Sequence, residues 1–535
     1  MSASTFLTFA ALATGVFPQK VFEPFDFNIT QALLENGVNI TAILGLTQLV
    51  ERPLLSNCSI ACNSLKVIFG NDQVDFQSDF TYNTFVNLFW SAQQREITPQ
   101  CVFKPEKASD VSTSILLSRL TQCPFAVKSG GHSAVPGGSN INGGITISFE
   151  KMGRITLSDD KKIASFQPGH TWFDIYTALE KDNITVIGGR VSSVGVGGLT
   201  LGGGISYFSS MYGLACDNVE SYELVTAFGL IIQVSQNKFS DLYWALRGGG
   251  NNFGIVTQFN VATIPRAPTM WGGMRTYLAP EFPALVNAFY NLGMNAKKDR
   301  KAHQILSFGW GGIEVAQVEL EYADPISNAP ILAEYNAVPN AIADQTAVRS
   351  LANLTELLDE SATGAGLRQA FWTWTVTLDK ELASITKDIF FEELKLVVDA
   401  ENILPAVSLQ VFTEPHLEKM AARGGNALGL SAENGPLMNV LVAVKWSNGA
   451  DDTRINEFAA KVKDRVLAAA TIKGKASPFI YMNYASPYQN VVAGYGATNQ
   501  AKLKAISKKY DPTGVFEKLQ PGHFKLDGAP VEDFL

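Results

Sequence analysis

The sequence predicts an α+β protein built from two domains. Its 535 residues, 46% of them hydrophobic, can bury a large core, and a chain of this length favours at least two domains over one. Before residue 265, short apolar strands alternate with helices and glycine-rich turns. Beyond Pro265 and Pro268 the strands are longer and helices separate them. That pattern predicts a second sheet backed by helices on one face.

In the first region we expect short helices over residues 31–65, then strands over 67–69 and 101–103. Asp110 is expected to cap a helix that runs to residue 120. Thr171 and Asp174 have the spacing of a capping box, which predicts a helix to about residue 181. Further strands are predicted over residues 125–128, 145–149, 155–157, 163–167 and 185–187, with a hairpin over 220–234, a helix over 240–246 and a strand over 255–259.

In the second region, long alternating strands and amphipathic helices take turns. We predict strands over residues 305–310, 313–322, 407–412 and 437–446, and helices over 281–295, 348–358, 385–398 and 452–470. The chain then returns to the first domain through a strand over 480–483, a helix over 499–509 and a turn at Asp511 to Gly514.

Composition narrows the class of ligand. The net charge is −8 and no long basic run occurs, which excludes nucleic acid and anionic membrane surfaces as expected partners. The histidines outside the glycine-rich loops, His170, His303, His416 and His523, have no metal-ligand spacing, so we predict no metal. A small molecule is the expected ligand.

The N-terminus resembles a secretory signal peptide over residues 1–17. An apolar stretch over residues 6–13 is too short to span a bilayer, and Ala11 to Ala13 resembles a cleavage site. The positively charged residues that begin a typical signal peptide are missing, and the alternative is an ordinary apolar N-terminal helix. The glycosylation sequons at Asn28, Asn39, Asn57, Asn183 and Asn353 are compatible with secretion of a glycoprotein.

The loop Lys128-Ser-Gly-Gly-His-Ser133 follows an apolar strand and is the first candidate site. Adjacent glycines let backbone N–H groups approach an anionic ligand such as a phosphate closely. The alternative is a glycine turn that carries a surface histidine. The candidate ligand-binding residues of this loop are Ser129, Gly130, Gly131, His132 and Ser133.

A second tract carries six glycines between Val194 and Ile205. Such a backbone can lie against a flat ring or a pyrophosphate. A dinucleotide-binding turn of the nicotinamide type is disfavoured, because that turn opens a βαβ unit, whereas this tract follows a complete strand, helix and strand. The candidate residues are Val194, Gly195, Gly197, Gly198, Gly202, Gly203, Gly204 and Ile205.

Several separated motifs together resemble one family. They are KSGGHS, GGRVSSVGVGGLTLGGG, ACDNV, LRGGGNNFGIVTQF, YMNYA and KYDPTGVF, in this order along the chain. From about Cys58 onward the chain resembles the berberine-bridge-enzyme-like branch of the vanillyl-alcohol-oxidase superfamily of FAD-linked oxidases. The segment from Gly424 to Leu430, followed by an apolar strand and Trp446, is similar to fungal members.

The resemblance implies a PCMH-type FAD-binding fold, split into N- and C-terminal parts, and an α+β substrate-binding domain. We expect an N-terminal segment over residues 18–94, the FAD domain over 95–265, the substrate domain over 266–475 and the C-terminal return over 476–535. It also implies that Gly254, Ile255, Val256 and Asn483 contact the cofactor together with the two glycine tracts. In oligomeric state we expect a monomer.

The resemblance implies that His132 is covalently bonded to the flavin 8α-methyl group. The alternatives are that His132 is a free general base or that it only forms hydrogen bonds within its loop. Many members attach the flavin a second time through a cysteine three residues before the second tract. Here that position is Val191. We therefore predict FAD held by a single covalent link, and Val191 sets the chain apart from doubly linked carbohydrate oxidases.

The proton acceptor is expected in the segment Tyr481-Met-Asn-Tyr484. Relatives use a tyrosine or a carboxylate near flavin N5, and a phenol acts as a base when a nearby cation or hydrogen bond stabilises the phenolate. Tyr484 and Tyr481 are the catalytic candidates. Each could instead be a packed aromatic residue whose hydroxyl is hydrogen-bonded.

Four of the five cysteines, Cys58, Cys62, Cys101 and Cys123, lie in the first quarter of the chain. They predict two disulfides, and three pairings are open. The resemblance favours Cys58 with Cys123 and Cys62 with Cys101. Cys216 would then be a free, buried thiol.

The expected function is transfer of a hydride from a small organic substrate, a secondary metabolite, to flavin N5. In the resembled family the residue at Val194 lies near flavin C4a, and valine there accompanies oxidases, so oxygen is the expected acceptor and hydrogen peroxide the product. The alternatives are a carbohydrate oxidase, or a dehydrogenase or cyclase without oxygen turnover.

Overall fold

We describe a computed structural model, which covers residues 22–43, 45–46, 57–266, 269–359 and 366–531. The predicted signal peptide lies outside these residues. The described residues form three sheets, two before residue 266 and one after it. The mixture of helices and antiparallel sheets is the predicted α+β class, and the long strands of the second region form the third sheet as expected.

The first sheet has four strands in the order β1-β2-β4-β3, and β4 pairs in parallel with both β2 and β3. A helix over residues 108–121 connects β2 to β3, and a loop over residues 129–144 connects β3 to its parallel neighbour β4. The strands are β1 Val74–Phe76, β2 Cys101–Phe103, β3 Phe125–Lys128 and β4 Ile145–Ser148. The His132 loop follows directly from the end of β3.

The second sheet is antiparallel, in the order β5-β6-β10-β8-β9, and β7 pairs with the far end of β10. Its members are β5 Ile155–Leu157, β6 Ile163–Phe166, β7 Ile184–Val186, β8 Val219–Val225, β9 Ile231–Ser235 and β10 Ile255–Pro265. The second glycine tract connects β7 to β8 and crosses beside the start of β10.

The third sheet has nine antiparallel strands, in the order β14-β11-β13-β12-β17-β18-β16-β19, with β15 on β11. Its members are β11 Met270–Leu278, β12 Ala302–Trp310, β13 Glu314–Tyr322, β14 Ala343–Asp344, β15 Ala347–Arg349, β16 Arg368–Thr377, β17 Leu404–Phe412, β18 Leu437–Trp446 and β19 Ala476–Ser477. Strands β11, β14, β15, β16 and β19 were missing from the sequence prediction. Because successive side chains of a strand point to opposite faces, one face packs on helices and the other faces the site.

Helices α1 to α9 belong to the first region and α10 to α15 to the second, while α16 and α17 are in the C-terminal return. They are α1 Ile29–Glu35, α2 Cys58–Phe69, α3 Phe80–Val86, α4 Ala92–Arg95, α5 Ala108–Thr121, α6 Trp172–Glu180, α7 Val196–Leu201, α8 Ser209–Tyr212, α9 Ser240–Leu246, α10 Phe282–Asn295, α11 Ala333–Asn336, α12 Leu351–Glu356, α13 Lys380–Leu394, α14 Glu414–Met420, α15 Asp452–Ile472, α16 Ala497–Tyr510 and α17 Val515–Lys518. The predicted capping box of Thr171 and Asp174 opens α6.

Two predicted strands are wrong. Residues 67–69 form the last turn of α2, which Asn57 caps and Gly70 ends at φ +81°. Here helix propagation from the cap overrides the β-branched residues Val67 and Ile68. Residues 480–483 lead into a short 3₁₀ turn, Met482–Tyr484, instead of a strand. The Asp110 cap is also displaced: Asp110 lies inside the first turn of α5 and accepts from the Glu106 N–H.

The disulfides follow the pairing that the resemblance implied. Cys58 is bonded to Cys123 and Cys62 to Cys101, and Cys216 is a free, buried thiol. Both bridges tie α2 to the first sheet and its neighbouring helix. Among the described helices none has the length and hydropathy needed to cross a membrane.

The C-terminal segment packs on the first region. The Phe22 N–H donates to the Lys509 carbonyl at 2.7 Å. Phe516 of α17 is buried edge-on against Phe125 of β3, with ring centroids 6.4 Å apart. The chain therefore leaves the third sheet and returns to the strand that carries the His132 loop. The exact domain boundaries stay a prediction.

Candidate active site

A cavity of ≈ 450 Å³ lies between the two glycine tracts and the exposed face of the third sheet. This volume is typical of small-molecule sites. The His132 loop, the second glycine tract and the start of β10 form one side, and β12, β13, β17 and β18 form the opposite side. Residues 481–485 complete the wall where the chain passes between the two sides.

The two glycine tracts touch backbone to backbone. A Cβ at Gly130 would lie 2.5 Å from the Gly195 nitrogen, and a Cβ at Gly195 would lie 2.2 Å from the Gly130 nitrogen. Only glycine allows this approach. Ser129 fixes it further, because its hydroxyl donates to the Pro168 carbonyl at 2.6 Å and accepts from the Gly197 N–H at 3.2 Å.

His132 stacks on Trp90, with ring centroids 4.1 Å apart and 16° between the planes. Burial lowers the pKa of His132 to about 4, and the charge of Asp359 only partly opposes this effect. Within the described chain the imidazole has no hydrogen-bond partner. His132 is therefore a neutral imidazole in the cavity wall whose ring nitrogens are free for another group.

An aromatic chain connects His132 with Tyr484 along the cavity. Trp90 meets Phe371 edge to face at 5.5 Å, and Phe371 meets Tyr484 at 6.4 Å and 90°. All four rings line the cavity. The candidate residues His132 and Tyr484 thus lie on one wall of the cavity.

Most of the predicted cofactor-binding residues line this cavity. Those that do are Ser129, Gly130, Gly131, His132, Ser133, Val194, Gly195, Gly197, Gly198, Ile205, Gly254, Ile255, Val256 and Asn483. Gly202, Gly203 and Gly204 do not line it. A Cβ at Gly202 would lie 2.0 Å from the Asn483 Oδ1, and a Cβ at Gly204 would lie 2.5 Å from Leu199. These three glycines pack behind the wall because their backbone must pass close under residues 481–483.

Tyr481 holds that turn together. Its hydroxyl accepts from the backbone N–H groups of Gly204 at 3.0 Å and Ile205 at 3.1 Å, and from the Asn483 amide at 3.1 Å. The side chain is 1% exposed, and burial raises its pKa well above the usual phenol value. Tyr481 is therefore a structural hydroxyl at the edge of the cavity.

Tyr484 has a different environment. Its hydroxyl accepts from the Arg190 guanidinium at 2.6 Å and from the Gln410 amide at 3.2 Å. Arg190 is 7% exposed, and its side chain also contacts two neutral groups, Gln410 at 2.8 Å and His303 at 3.2 Å. Burial opposes the charge of Arg190, yet Tyr484 and Glu319 outweigh burial and raise its pKa. A charged guanidinium therefore bonds directly to the Tyr484 oxygen.

Behind Arg190 lies a buried pair of carboxyl groups on β13. Glu319 is 5% exposed and Glu321 is 1% exposed. Burial raises the pKa of both carboxyl groups, and the charge of Glu319 raises the pKa of Glu321 further. The Glu321 Oε2 lies 2.7 Å from the His303 Nδ1. Burial and Arg190 lower the pKa of His303 well below its usual value. Burial and the mutual interaction of the two carboxyl groups therefore both oppose the ionisation of Glu321.

Sequence reasoning missed Arg190, Gln410, Glu319 and Trp90. Arg190 lies inside the glycine-rich motif that carried the family resemblance, and no residue pattern distinguished it from its neighbours. Gln410 and Glu319 are polar residues in otherwise apolar strands, on the face that alternation assigns to the site. A buried polar residue in such a strand is a usable signal.

The cavity fits an extended polar ligand such as a flavin dinucleotide. Trp90, Gln520 and His523 line it, and the Trp90 Nε1, Gln520 Oε1 and His523 Nδ1 atoms are buried without a hydrogen-bond partner in the described chain. Buried polar atoms are normally hydrogen-bonded, so these atoms call for a partner. At Gly198 a Cβ would meet nothing within 4 Å, which leaves room beside the backbone.

No cluster of three or more metal-ligating side chains occurs among the residues that the structure describes.

Comparison with known proteins agrees with this geometry. Residues 99–235 match the family model described as an FAD binding domain. By fold, the chain is similar to 6-hydroxy-D-nicotine oxidase from Arthrobacter nicotinovorans, with a TM-score of 0.71 and 21% identity over 85% of this chain and 97% of that one. It is similar to the same degree to berberine bridge enzyme from Eschscholzia californica, with a TM-score of 0.70 and 18% identity over 89% and 100% of the two chains.

Two fungal relatives are similar along almost their whole length. The protein named FAD-dependent monooxygenase tpcD from Cochliobolus heterostrophus is 37% identical, over 88% of this chain and 94% of its own. FAD-dependent monooxygenase FUP4 from Fusarium proliferatum is 37% identical, over 88% and 95%. The chain belongs to the family of FAD-dependent oxidoreductases that includes these fungal relatives, and it has the fold of berberine bridge enzyme.

Proposed function

We propose that this FAD-dependent oxidoreductase removes a hydride from a small organic substrate, a secondary metabolite, and passes the electrons on to oxygen. The observation that carries the proposal is the Arg190 and Tyr484 pair, which lies in the same cavity as His132. Bound FAD supplies the hydride acceptor, N5, and the protein orients the substrate and moves the proton.

Tyr484 is the proposed proton acceptor. The guanidinium of Arg190 stabilises a phenolate, because it is a fixed positive charge at hydrogen-bond distance in a water-poor site. As the hydride leaves the substrate carbon, the Tyr484 oxygen takes the proton of the neighbouring O–H or N–H group. Tyr481 is the less suitable candidate, because backbone N–H groups already occupy its oxygen.

His132 is the proposed point of flavin attachment. The neutral imidazole would hold the flavin through a bond to the 8α-methyl carbon; that carbon would lose a proton, and the flavin would take up the electron pair and later pass it to oxygen. Trp90 fixes the plane of the His132 ring. Val191 stands where a second, cysteinyl link would be, and it lines the cavity. We therefore propose one covalent link.

Oxygen is the proposed electron acceptor, with release of hydrogen peroxide. Val194 lines the cavity beside Gly195, and a valine leaves more space there than a leucine would. The names of the fungal relatives favour a second candidate, monooxygenation, in which one oxygen atom enters the product. The two outcomes differ in the fate of the oxygen.

The test uses the purified flavoprotein and a library of phenols, alcohols and amines of natural-product type. A substrate should bleach the oxidised flavin under anaerobic conditions. On admission of ¹⁸O₂, the oxidase should regenerate the flavin and release one peroxide per product, without ¹⁸O in the product. Labelled product would show a monooxygenase, and failure of every compound to bleach the flavin would contradict hydride transfer.

We also propose that the chain acts as a secreted, glycosylated monomer. Support comes from the two disulfides and from Asn28, Asn39, Asn183 and Asn353, whose side chains belong to exposed residues. Expression in a fungal host should yield protein in the medium whose mass falls on treatment with an endoglycosidase; a purely intracellular, unglycosylated product would contradict this.

A further inference from the structure

His303 lies between the Arg190 guanidinium and the Glu321 carboxyl group. Its Nε2 atom is 3.2 Å from the Arg190 Nη1 atom, and its Nδ1 atom is 2.7 Å from the Glu321 Oε2 atom. His303 of β12 and Glu321 of β13 are directly paired, so the sheet itself brings these two side chains together. Arg190 in turn donates to the Tyr484 oxygen at 2.6 Å. One series of contacts therefore connects β13 with the proposed proton acceptor.

The direction of each hydrogen bond in this series follows from Arg190. A guanidinium has N–H donors and no acceptor, and it stays charged in proteins. It therefore donates to the His303 Nε2 atom, which must carry a lone pair. The hydrogen of the neutral ring is then on Nδ1, which donates to the Glu321 Oε2 atom. Glu321 thus selects the tautomer of His303 that can accept a hydrogen bond from Arg190.

His303 holds one arm of the guanidinium, and the other arm reaches the site. Nη1 donates to His303, whereas Nη2 donates to Gln410 at 2.8 Å and to Tyr484 at 2.6 Å. Because the guanidinium is planar and rigid, an acceptor at Nη1 fixes the plane in which Nη2 points. The backbone of Arg190 is held as well, since the Tyr207 hydroxyl donates to its carbonyl at 3.1 Å.

His303 itself lies outside the main cavity. It borders a small void of ≈ 20 Å³, which shares Ile205 and Gln410 with the wall of the main cavity. Its ring packs edge-on against Tyr207, with centroids 5.5 Å apart and 84° between the planes. Any effect of His303 on the reaction is therefore transmitted through Arg190.

We propose that His303 is a positioning residue: bonded to Glu321, it accepts a hydrogen bond from Arg190 and keeps the guanidinium aimed at the Tyr484 oxygen. The inference rests on the proposed function, in which Tyr484 takes the proton. Without the acceptor, the long arginine side chain can adopt other rotamers, and a misplacement of about 1 Å can cost as much as 10²-fold in rate. The positive charge then stabilises the phenolate less well.

The first test determines the tautomer of His303 without any substrate, by NMR of the flavoprotein labelled with ¹⁵N-histidine. The ring whose signals disappear in His303→Gln should show a protonated Nδ1 and an unprotonated Nε2. A protonated Nε2 would overturn the proposal, because that nitrogen could not accept a hydrogen bond from Arg190. The measurement needs no hydride transfer, so its result does not depend on the proposed function.

The second test is the rate of flavin reduction at saturating substrate in anaerobic stopped flow. His303→Leu should lower this rate about tenfold or more, while the dissociation constant of the substrate stays within about twofold. His303→Gln should recover most of the loss, because its amide oxygen can take the place of Nε2 as the acceptor. His416→Leu, the matched control at the other imidazole that borders the small void, should keep the natural rate. Retained flavin absorbance shows that each variant is folded.

A double-mutant cycle shows whether His303 acts through Tyr484. In the Tyr484→Phe background, His303→Leu should cost less than about twofold in rate, because no phenolate remains for Arg190 to stabilise. An equal loss in both backgrounds would overturn the proposal, as would a natural rate in His303→Leu or an equally large loss in His303→Gln. A natural rate in Tyr484→Phe alone would contradict the proposed function and with it the role of His303, whereas the wrong tautomer would contradict only the role of His303.

Discussion

Replacing each of the two tyrosines by phenylalanine should separate catalysis from stability. Tyr484→Phe removes the oxygen that bonds Arg190, while Arg190 keeps Gln410 and His303 as partners. We expect the rate of flavin reduction to fall by about 10²-fold or more, the usual contribution of a general base. The free energy of unfolding should fall by about 1.5–3 kcal/mol, the value of one hydrogen bond to a charged group.

Tyr481→Phe should show the opposite pattern. It leaves the N–H groups of Gly204 and Ile205 and the Asn483 amide without their shared acceptor. Unpaired buried donors cost about 1–3 kcal/mol each, so we expect a loss of about 2–4 kcal/mol after partial relaxation. Anaerobic stopped-flow bleaching with a substrate from the library gives the rates, and urea unfolding gives the stabilities. A larger rate loss in Tyr481→Phe than in Tyr484→Phe would refute the assignment of the base.

Three further predictions concern oxygen, the disulfides and pH. Val194→Leu should slow reoxidation of the reduced flavin by about tenfold or more but barely change the rate of flavin reduction, since one methylene fills the space for oxygen. The control is Val191→Leu, which makes the same change in size elsewhere on the cavity wall. Equal effects of the two substitutions would contradict the role of Val194. Replacing Cys62 and Cys101 together by serine opens a loop of sequence separation 39 and should lower the free energy of unfolding by about 4 kcal/mol in urea; a loss below about 1 kcal/mol would contradict the structural role. Burial lowers the pKa of His416 to about 3, so between pH 6 and 4 the unfolded chain binds a proton at this residue that the native chain does not, and the free energy of unfolding decreases as the pH is lowered. Over this range the natural sequence should lose about 1.4 kcal/mol per pH unit more than His416→Leu. Parallel curves of stability against pH for the two proteins would contradict this.

The sequence predicted the α+β class, the glycine-rich loops and the cofactor family because these depend on local patterns. The glycines at 130 and 195 are needed for a backbone contact that no other residue allows, so they leave a readable signal. The disulfide pairing came from the family resemblance, since spacing alone left three pairings open. The strand prediction for residues 67–69 was wrong because the helix capped by Asn57 extends through them.

The substrate side of the site was harder to predict. Arg190 meets Gln410 across 220 residues of sequence and Tyr484 across 294. Such contacts are set by how the nine-stranded sheet covers the glycine tracts, and no window of sequence contains both partners. For the same reason the two tyrosines looked equal until their hydrogen bonds were known.

The most direct test of the account is the mass of the acid-denatured protein. If FAD lies in the cavity and is bonded through His132, the intact mass should exceed that of the polypeptide by one FAD, and the peptide that contains His132 should carry the flavin. His132→Ala should abolish this addition, and His523→Ala, at another histidine of the cavity wall, should keep it. Covalent flavin in His132→Ala, or a natural protein that releases all its flavin in acid, would contradict the account.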